Sequence, residues 1–243
     1  MNFFSVLFDL DGVISDTATI HSKAWKTVLE RTIRTHNKSQ MPFILTKDYP
    51  KHLDGKTRYA GIKSFLKSRG INVPVGKTLD KGYNSIIGIS NEKNTIFRNV
   101  LEQEGLSIFQ DAIRLMQKLE TLGAEMGLAS SSKNARAILE QADLAKRFKY
   151  ILDGEIAEKH GIASKPDPEF YLHAANLMGR RPQECVVLED AISGVISAQK
   201  AGIKTVIGVA RTNNANILID NGADITVSSI DELNMDIFKI ATK

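Results

Sequence analysis

The chain has 243 residues, of which 42% are hydrophobic and 25% are charged, as is typical of a soluble globular protein. This length is sufficient for one large domain, or for a core domain with an inserted module. The net charge of +4 comes from lysines and arginines spread along the chain, so no basic block indicates a nucleic-acid surface. A mildly positive protein instead suits an enzyme that collects anionic substrates.

Features that bear on cellular location favour the cytoplasm. The single cysteine, Cys185, cannot form an internal disulfide, as is usual in a reducing compartment. The N-terminus shows no signal-peptide pattern, and no apolar run reaches the ~18 residues that a transmembrane helix needs. We therefore expect a cytoplasmic protein with no membrane partner.

The first predicted element is a buried strand followed by helices. The apolar run Phe3–Phe8 is short and nearly continuous, and it ends in the polar turn FDLDGVISDT, residues 8–17. From Thr17 to about Asn99 the apolar spacing favours helices over strands. The helices predicted there comprise a first one with Ile20, Ala24, Trp25, Val28 and Leu29 at helical spacing, then Lys56–Arg69, Lys77–Ile87 and Glu92–Glu104.

Beyond about Phe109 predicted strands alternate with predicted helices. The strands are Glu125–Ala129, Tyr150–Leu152, Glu184–Leu188 and Lys204–Val209; the helices are Asp111–Leu122, Asn134–Phe148, Pro168–Leu177 and Ile192–Ala201. This alternation predicts an α/β fold with a doubly wound parallel sheet. Residues 1–16 and 100–243 would form the α/β core, and residues 17–99 an inserted helical domain.

Reactive side chains follow the predicted strands in four segments. They are the opening turn with Asp9 and Asp11, LASSSKN at 128–134, ASKPDP at 163–168 and VVLEDAISG at 186–194. Because ligands bind at the carboxyl ends of the strands in such sheets, we expect the four segments to meet at one site.

The residue types in these segments suit phosphoryl transfer. Carboxylates together with Lys165 and Ser130 would form an Mg²⁺ site beside a phosphate pocket. An aspartate can attack phosphorus and give an aspartyl-phosphate. Other interpretations stay open, since Lys165 can be a solvated helix-start residue and Glu189 with Asp190 can cap a helix.

The ordered set resembles the haloacid dehalogenase superfamily of phosphotransferases, whose pattern is DxDG, a Ser or Thr, a Lys and an acidic pair. The resemblance implies a Rossmann-like core with an α-helical cap that closes over the site. It implies Asp9 as nucleophile and Asp11 as general acid/base. The residues implied for the phosphoryl group are Ser130 and Lys165, and those implied for Mg²⁺ are Asp9, the Asp11 main-chain carbonyl, Glu189 and Asp190.

Within that superfamily the chain is most similar to the β-phosphoglucomutase group. His21 and Trp25, DGKTR at 54–58, EKN at 92–94 and SSSKN carry this similarity. It implies conversion of β-glucose 1-phosphate to glucose 6-phosphate through the 1,6-bisphosphate, which requires two phosphate sites. The implied substrate-binding residues are Thr17, His21, Trp25, Gly55, Arg58, Lys93, Ser131, Ser132, Lys133 and Asn134.

Two alternatives stay beside this interpretation. Asp54 precedes Gly55, where some β-phosphoglucomutases have a lysine that pairs with the acid/base aspartate, and this keeps a sugar-phosphate phosphatase in view. A non-enzymatic phospho-acceptor switch is the more distant alternative, since Asp11 favours turnover over a long-lived phosphate. In either enzyme we expect a sugar-phosphate substrate, no nucleic acid and a monomer.

Overall fold

The structure is a computed structural model that describes residues 4–37 and 39–239. It divides the chain into two compact units, Met1–Asp16 with Ser107–Lys243 and Thr17–Leu106. We call them the sheet unit and the helical unit. The sequence predicts their second boundary at residue 100, whereas a helix runs on to Glu104 and the boundary follows Leu106.

Six parallel strands form the sheet, in the order β3-β2-β1-β4-β5-β6. They are β1 Ser5–Phe8, β2 Met126–Ala129, β3 Tyr150–Leu152, β4 Cys185–Glu189, β5 Thr205–Val209 and β6 Ile225–Val227. The order matches doubly wound nucleotide-binding sheets and confirms the predicted α/β class. The strand order reverses between β1 and β4, so a crevice is expected at the carboxyl ends of these two strands.

The strands form where the sequence has short continuous apolar runs, because strands covered by helices on both faces bury every side chain. Residues 5–8 of β1 and 185–189 of β4 are all buried. Phe3, predicted as part of β1, lies outside the described residues. Burial in β4 also raises the pKa of the Cys185 thiol to about 12, which makes it an inert core residue.

The structure of the sheet unit differs from the prediction mainly in its short helices and its last strand. Its helices are α5 Gln110–Thr121, α6 Ala135–Gln141, α7 Gly154–Lys159, α8 Glu169–Leu177, α9 Ile192–Lys200 and α10 Ala215–Asp220. The single helix predicted over Asn134–Phe148 is wrong, because Asp143 adopts a left-handed φ of 54° and the chain continues as a short 3-10 helix, Ala145–Arg147. The sequence did not predict α7, α10 or β6, which have only three to six residues each.

The helical unit consists of α1 Ala18–His36, α2 Leu45–His52, α3 Arg58–Ser68 and α4 Ile86–Glu104. Its core includes Trp25, Val28, Leu29, Ile62, Phe65 and Ile89. The helix predicted over Lys77–Ile87 is wrong: Gly76 and Gly82 have φ of 88° and 74°, and the Asp80 carboxylate accepts hydrogen bonds from the Lys77 amide and the Ser85 hydroxyl. Within the described part of the chain, none of the helices has the length and apolarity needed to cross a bilayer.

Candidate active site

The carboxyl ends of β1 and β4 bring two of the predicted segments together. The strands pair in parallel register, Phe8 opposite Leu188, and the Asp9 amide donates to the Leu188 carbonyl at 3.0 Å. Asp9 therefore lies directly after one strand, and Glu189 ends the next. Asp9, Glu189 and Asp190 each offer a carboxylate oxygen, and these oxygens lie within 4.8 Å of one another.

Lys165 is the central cation of this cluster. Its ammonium group donates to Asp9 Oδ1 at 2.9 Å, Glu189 Oε1 at 2.8 Å and the Ala129 carbonyl at 3.0 Å. The side chain is 1% exposed, so the interpretation of Lys165 as a solvated helix-start residue is wrong. The three acceptors lie at or directly after the ends of β1, β2 and β4, so Lys165, which belongs to the segment at 163–168, contacts the other three predicted segments.

Two aromatic rings enclose the same ammonium group. The centroids of Phe170 and Tyr171, at the start of α8, lie 5.3 Å and 5.0 Å from Lys165 Nζ. Such rings attract a cation electrostatically and exclude water from it. Burial alone would lower the pKa of Lys165, but Asp9 and Glu189 outweigh it and hold that pKa well above its ordinary value. Lys165 is therefore charged at physiological pH.

The Asp9 carboxylate experiences opposing influences. Burial raises its pKa, Lys165 counteracts that effect, and the nearby charge of Asp11 raises it further, so that the pKa lies above the ordinary value. An aspartate nucleophile has to be ionised, and adjacent positive charge favours that state. The three gathered carboxylates are hard oxygen donors of the kind that Mg²⁺ prefers, so the residues present fit this ion.

Two glycines make room for the carboxylates. Gly12 has a φ of +84°, and a Cβ on it would lie 1.9 Å from Asp190 Oδ2. A Cβ on Gly194 in α9 would lie 1.4 Å from Glu189 Oε1. Neither glycine was among the predicted site residues, although Gly12 ends the DxDG pattern and Gly194 ends VVLEDAISG.

The segment after β2 forms a compact polar loop. The Ser132 amide donates to Ser130 Oγ at 3.1 Å, and the Asn134 amide donates to Ser132 Oγ at 3.2 Å. All three residues are buried, and Asn134 Nδ2 has no hydrogen-bond partner among the described residues. Lys133 instead forms an ion pair with Glu158. A buried amide donor at the start of α6 is suited to an anionic oxygen.

The predicted residues of the helical unit form a cluster of their own. Lys93 Nζ lies 2.7 Å from His21 Nδ1 and 5.2 Å and 4.7 Å from the rings of Trp25 and Phe97. Lys93 is 1% exposed. The His21 ring also packs against the Phe97 ring at an interplanar angle of 45°, with a centroid distance of 4.3 Å. The structure therefore brings three of the predicted binding residues together on α1 and α4.

The other predicted residues of this unit occupy nearby turns of its helices. Arg58 begins α3, is 6% exposed, and donates from Nη2 to Asn94 Oδ1 at 3.1 Å. Asn94 directly follows Lys93 on α4. Gly55 lies in the turn before α3 with a φ of 66°, and Thr17 is buried at the N-cap of α1. Arg58 and Lys93 are thus buried cations, not solvated surface charges.

Comparisons with known proteins identify the family of the chain. The sequence profile of the haloacid dehalogenase-like hydrolases matches residues 5–202. The chain is 37% identical to a β-phosphoglucomutase of Mycobacterium bovis, over 93% of this chain and 90% of that protein. It is 27% identical to a phosphorylated carbohydrates phosphatase of Thermotoga maritima, over 95% of this chain and 97% of that protein.

A solved structure shows the same fold. The crystal structure of β-phosphoglucomutase from Clostridium difficile superposes with a TM-score of 0.74 at 24% identity, covering 97% of this chain and 95% of that one. The family profile spans most of the chain, including all four segments of the sheet unit that carry the clustered carboxylates, serines and lysine. The chain is therefore an enzyme of the haloacid dehalogenase-like hydrolase family.

Proposed function

We propose that this enzyme is an Mg²⁺-dependent β-phosphoglucomutase, which converts β-glucose 1-phosphate to glucose 6-phosphate through the 1,6-bisphosphate. The observation that carries the proposal is the fully buried Lys165, whose ammonium group joins Asp9 to Glu189 at the switch point of the sheet. The 37% identity to a β-phosphoglucomutase supports the choice of substrate.

In the proposed reaction Asp9 attacks phosphorus of the bisphosphate. A bond forms between the carboxylate oxygen and phosphorus, the bond from phosphorus to the sugar oxygen breaks, and Asp11 gives its proton to that oxygen. In the second transfer Asp11 removes the proton from a hydroxyl of β-glucose 1-phosphate, which takes the phosphoryl group from Asp9. The free carboxylate of Asp9 is then restored.

Lys165 and the SSSKN loop have separate tasks in this scheme. Lys165 holds Asp9 Oδ1 and places positive charge beside the transferring group. Ser130 binds a phosphate oxygen, and Asn134 Nδ2 is a buried donor suited to the same purpose. Asp9, Glu189 and Asp190, with the Asp11 carbonyl, would hold Mg²⁺, which when bound stabilises negative charge on the phosphoryl oxygens.

A mutase that uses a bisphosphate needs a second phosphate site, and the helical unit supplies suitable groups. Lys93 and Arg58 are buried cations on α4 and α3, two consecutive helices of that unit, and Arg58 donates to Asn94. An arginine presents a planar array of donors that matches phosphate oxygens. Buried cations of this kind support the mutase over an enzyme for a single phosphate.

The proposal is tested by incubating the protein with β-glucose 1-phosphate, a trace of β-glucose 1,6-bisphosphate and Mg²⁺. Glucose 6-phosphate is followed with a coupled dehydrogenase, and free phosphate is measured in the same samples. We expect glucose 6-phosphate without stoichiometric free phosphate, and no product from Asp9→Asn. Free phosphate alone would contradict the mutase and identify a phosphatase.

The phosphatase is the second candidate because Asp54 precedes Gly55 and a phosphatase is among the relatives. In that reaction water, not a sugar hydroxyl, takes the phosphoryl group from Asp9. A phospho-acceptor switch would differ from both, since phosphate on Asp9 would persist for minutes after the donor is removed. The rate at which labelled phosphate is lost from Asp9 after the donor is removed distinguishes such a switch from the two enzymes.

The proposal also describes a cytoplasmic monomer. The single cysteine, Cys185, is buried in β4 as a free thiol, and free thiols are usual in a reducing compartment such as the cytoplasm. Light scattering after size exclusion at assay concentration measures the mass, and we expect a value near 26.8 kDa.

A further inference from the structure

An arginine beyond the end of β5 contacts the turn that carries the aspartates. Arg211 lies two residues after β5, at the same edge of the sheet as Asp9. Its Nε donates to the Gly12 carbonyl at 3.0 Å, and its Nη2 donates to the Val13 carbonyl at 3.2 Å. Its side chain is 17% exposed.

Asp111 holds the other side of this guanidinium. Arg211 Nη1 and Nη2 donate to the two Asp111 oxygens at 3.0 Å and 2.9 Å, so the ion pair is bidentate. Asp111 also accepts from the Ser229 hydroxyl at 3.0 Å and the Ile230 amide at 2.9 Å. The guanidinium carbon lies 3.7 Å from the centroid of Phe109, whose amide donates to the Ile14 carbonyl. A stacked, bidentate arginine has little freedom to move.

The contacted turn is already closed by its own hydrogen bonds. The amides of Ile14 and Ser15 both donate to the Leu10 carbonyl at 2.9 Å, and the Gly12 amide donates to the Ser15 carbonyl at 2.8 Å. Arg211 adds two hydrogen bonds from outside the turn, to the Gly12 and Val13 carbonyls. Asn214, in the same loop as Arg211, donates from Nδ2 to the Asp190 carbonyl at 3.3 Å.

We propose that Arg211 is a positioning residue for phosphoryl transfer, because it fixes the turn that presents Asp9 and Asp11 through the Gly12 and Val13 carbonyls. This rests on the proposed function and deepens it. A loss of alignment of about 1 Å can lower a rate by about 100-fold, so fixing this backbone bears directly on turnover. The role explains why the loop after β5 contacts both carboxylate-bearing turns.

The test compares Arg211→Met and Arg211→Lys with Arg114→Met. Arg114 is a matched control, because it also pairs with an aspartate of the sheet unit, Asp231, and 51% of its side chain is exposed. For each variant, kcat and KM are measured with β-glucose 1-phosphate, and amide hydrogen exchange is measured for residues 9–16.

We expect Arg211→Met to lower kcat by about 10- to 100-fold while KM changes less than about 3-fold, with Arg211→Lys in between. Exchange at the Ile14 and Ser15 amides should accelerate in both variants and stay at the wild-type rate in Arg114→Met. Guanidinium ion at millimolar concentration should restore part of the activity of Arg211→Ala. If Arg211→Met does not fold, Arg211→Lys and Asp111→Asn provide the same comparison.

Wild-type kcat and wild-type exchange in the Arg211 variants would overturn the inference. A lower melting temperature with unchanged kcat would assign Arg211 a purely structural role, and this result would also overturn the inference. Failure of the mutase proposal has a different signature, namely wild-type protein that makes no glucose 6-phosphate. In that case acetyl phosphate serves as the phosphoryl donor, and the rate of Asp9 phosphorylation with the exchange data decides the role of Arg211.

Discussion

At the residue scale, Lys165 determines how the carboxylates of the site can coexist. One buried ammonium group satisfies Asp9, Glu189 and the Ala129 carbonyl, while Phe170 and Tyr171 exclude water around it. Buried carboxylates are costly without such a partner, because burial disfavours their ionised form. The same contacts that permit burial also orient the proposed nucleophile.

Lys165→Met tests this dual role. We expect kcat to fall by about 100- to 1000-fold, because a fixed charge beside the transferring group is lost. We also expect unfolding free energy to fall by about 3–5 kcal/mol, since the variant leaves buried carboxylates without their lysine. Steady-state kinetics and urea denaturation measure the two effects, with the exposed Lys159→Met of α7 as control. Near-wild-type kcat would exclude Lys165 from the reaction.

Gly194→Ala tests whether Glu189 must stay where Lys165 binds it. The added Cβ would overlap Glu189 Oε1, so the carboxylate must move away from the lysine. We expect kcat to fall at least about 10-fold and stability to fall by about 1–3 kcal/mol, as is usual for overpacking. Gly61→Ala in α3 is the control, because its nearest neighbour is the flexible end of Leu53. Equal effects in both variants would contradict the account.

At the element scale, the strand ends of the sheet unit were predictable because they depend on local sequence. The apolar runs before Asp9 and Glu189 predict buried strands, and the topology then places both carboxylates at one edge. The failed helix at Lys77–Ile87 has a local cause too: Gly76 and Gly82 adopt left-handed backbone conformations, and Asp80 provides alternative hydrogen bonds. The prediction followed the apolar spacing of this segment and gave too little weight to these two glycines and to Asp80.

The contacts of Arg211 could not be predicted in this way. Its partners Gly12 and Asp111 are 199 and 100 residues distant in sequence, and no short motif joins them. The same holds for the contact between Lys93 and His21, which are 72 residues apart. Lys93 and His21 were predicted as binding residues only through the family resemblance, and Arg211 was not predicted at all.

The helices α3 and α4 carry the prediction about the second phosphate. Lys93→Met keeps much of the packing against Trp25 and Phe97 but removes the charge, and Arg58→Met does the same at the start of α3. We expect each to raise KM for β-glucose 1,6-bisphosphate by about 10- to 100-fold, the usual effect of losing a charged hydrogen bond. Phosphorylation of Asp9 by acetyl phosphate should change less than about 3-fold. Lys67→Met, on the exposed side of α3, is the control.

These two substitutions can also contradict the mutase proposal. Unchanged KM for the bisphosphate in both variants would show that the buried cations of the helical unit do not bind phosphate. The helical unit would then contribute packing alone, and the single phosphate site of a phosphatase would suffice.

At the scale of the whole molecule, Asp111 connects three distant parts of the sheet unit. Burial alone would raise its pKa, but hydrogen bonds from Arg211, the Ile230 amide and Ser229 outweigh burial, so the pKa of Asp111 lies below its ordinary value of 3.8. A carboxylate whose pKa is lower in the folded than in the unfolded state stabilises the protein above the unfolded value. That stabilisation is lost as pH falls through the lower folded value.

Melting temperatures between pH 7 and pH 2 test this linkage. Wild-type protein should lose stability as pH falls below about 3.8, and Asp111→Asn should be less stable at pH 7 but lose less of its stability over the same interval. Asp231→Asn removes a carboxylate that is exposed on the same unit and serves as control. Parallel curves for wild type and Asp111→Asn would contradict this role.

The most direct test of the account is the fate of a phosphoryl group on Asp9. Protein mixed with β-glucose 1,6-bisphosphate labelled in its phosphates is quenched within milliseconds, and the labelled peptide is identified by mass spectrometry. We predict acyl-phosphate on Asp9, which unlabelled β-glucose 1-phosphate removes as labelled bisphosphate and then glucose 6-phosphate. Label absent from Asp9, or released only as inorganic phosphate, would contradict the proposed mutase.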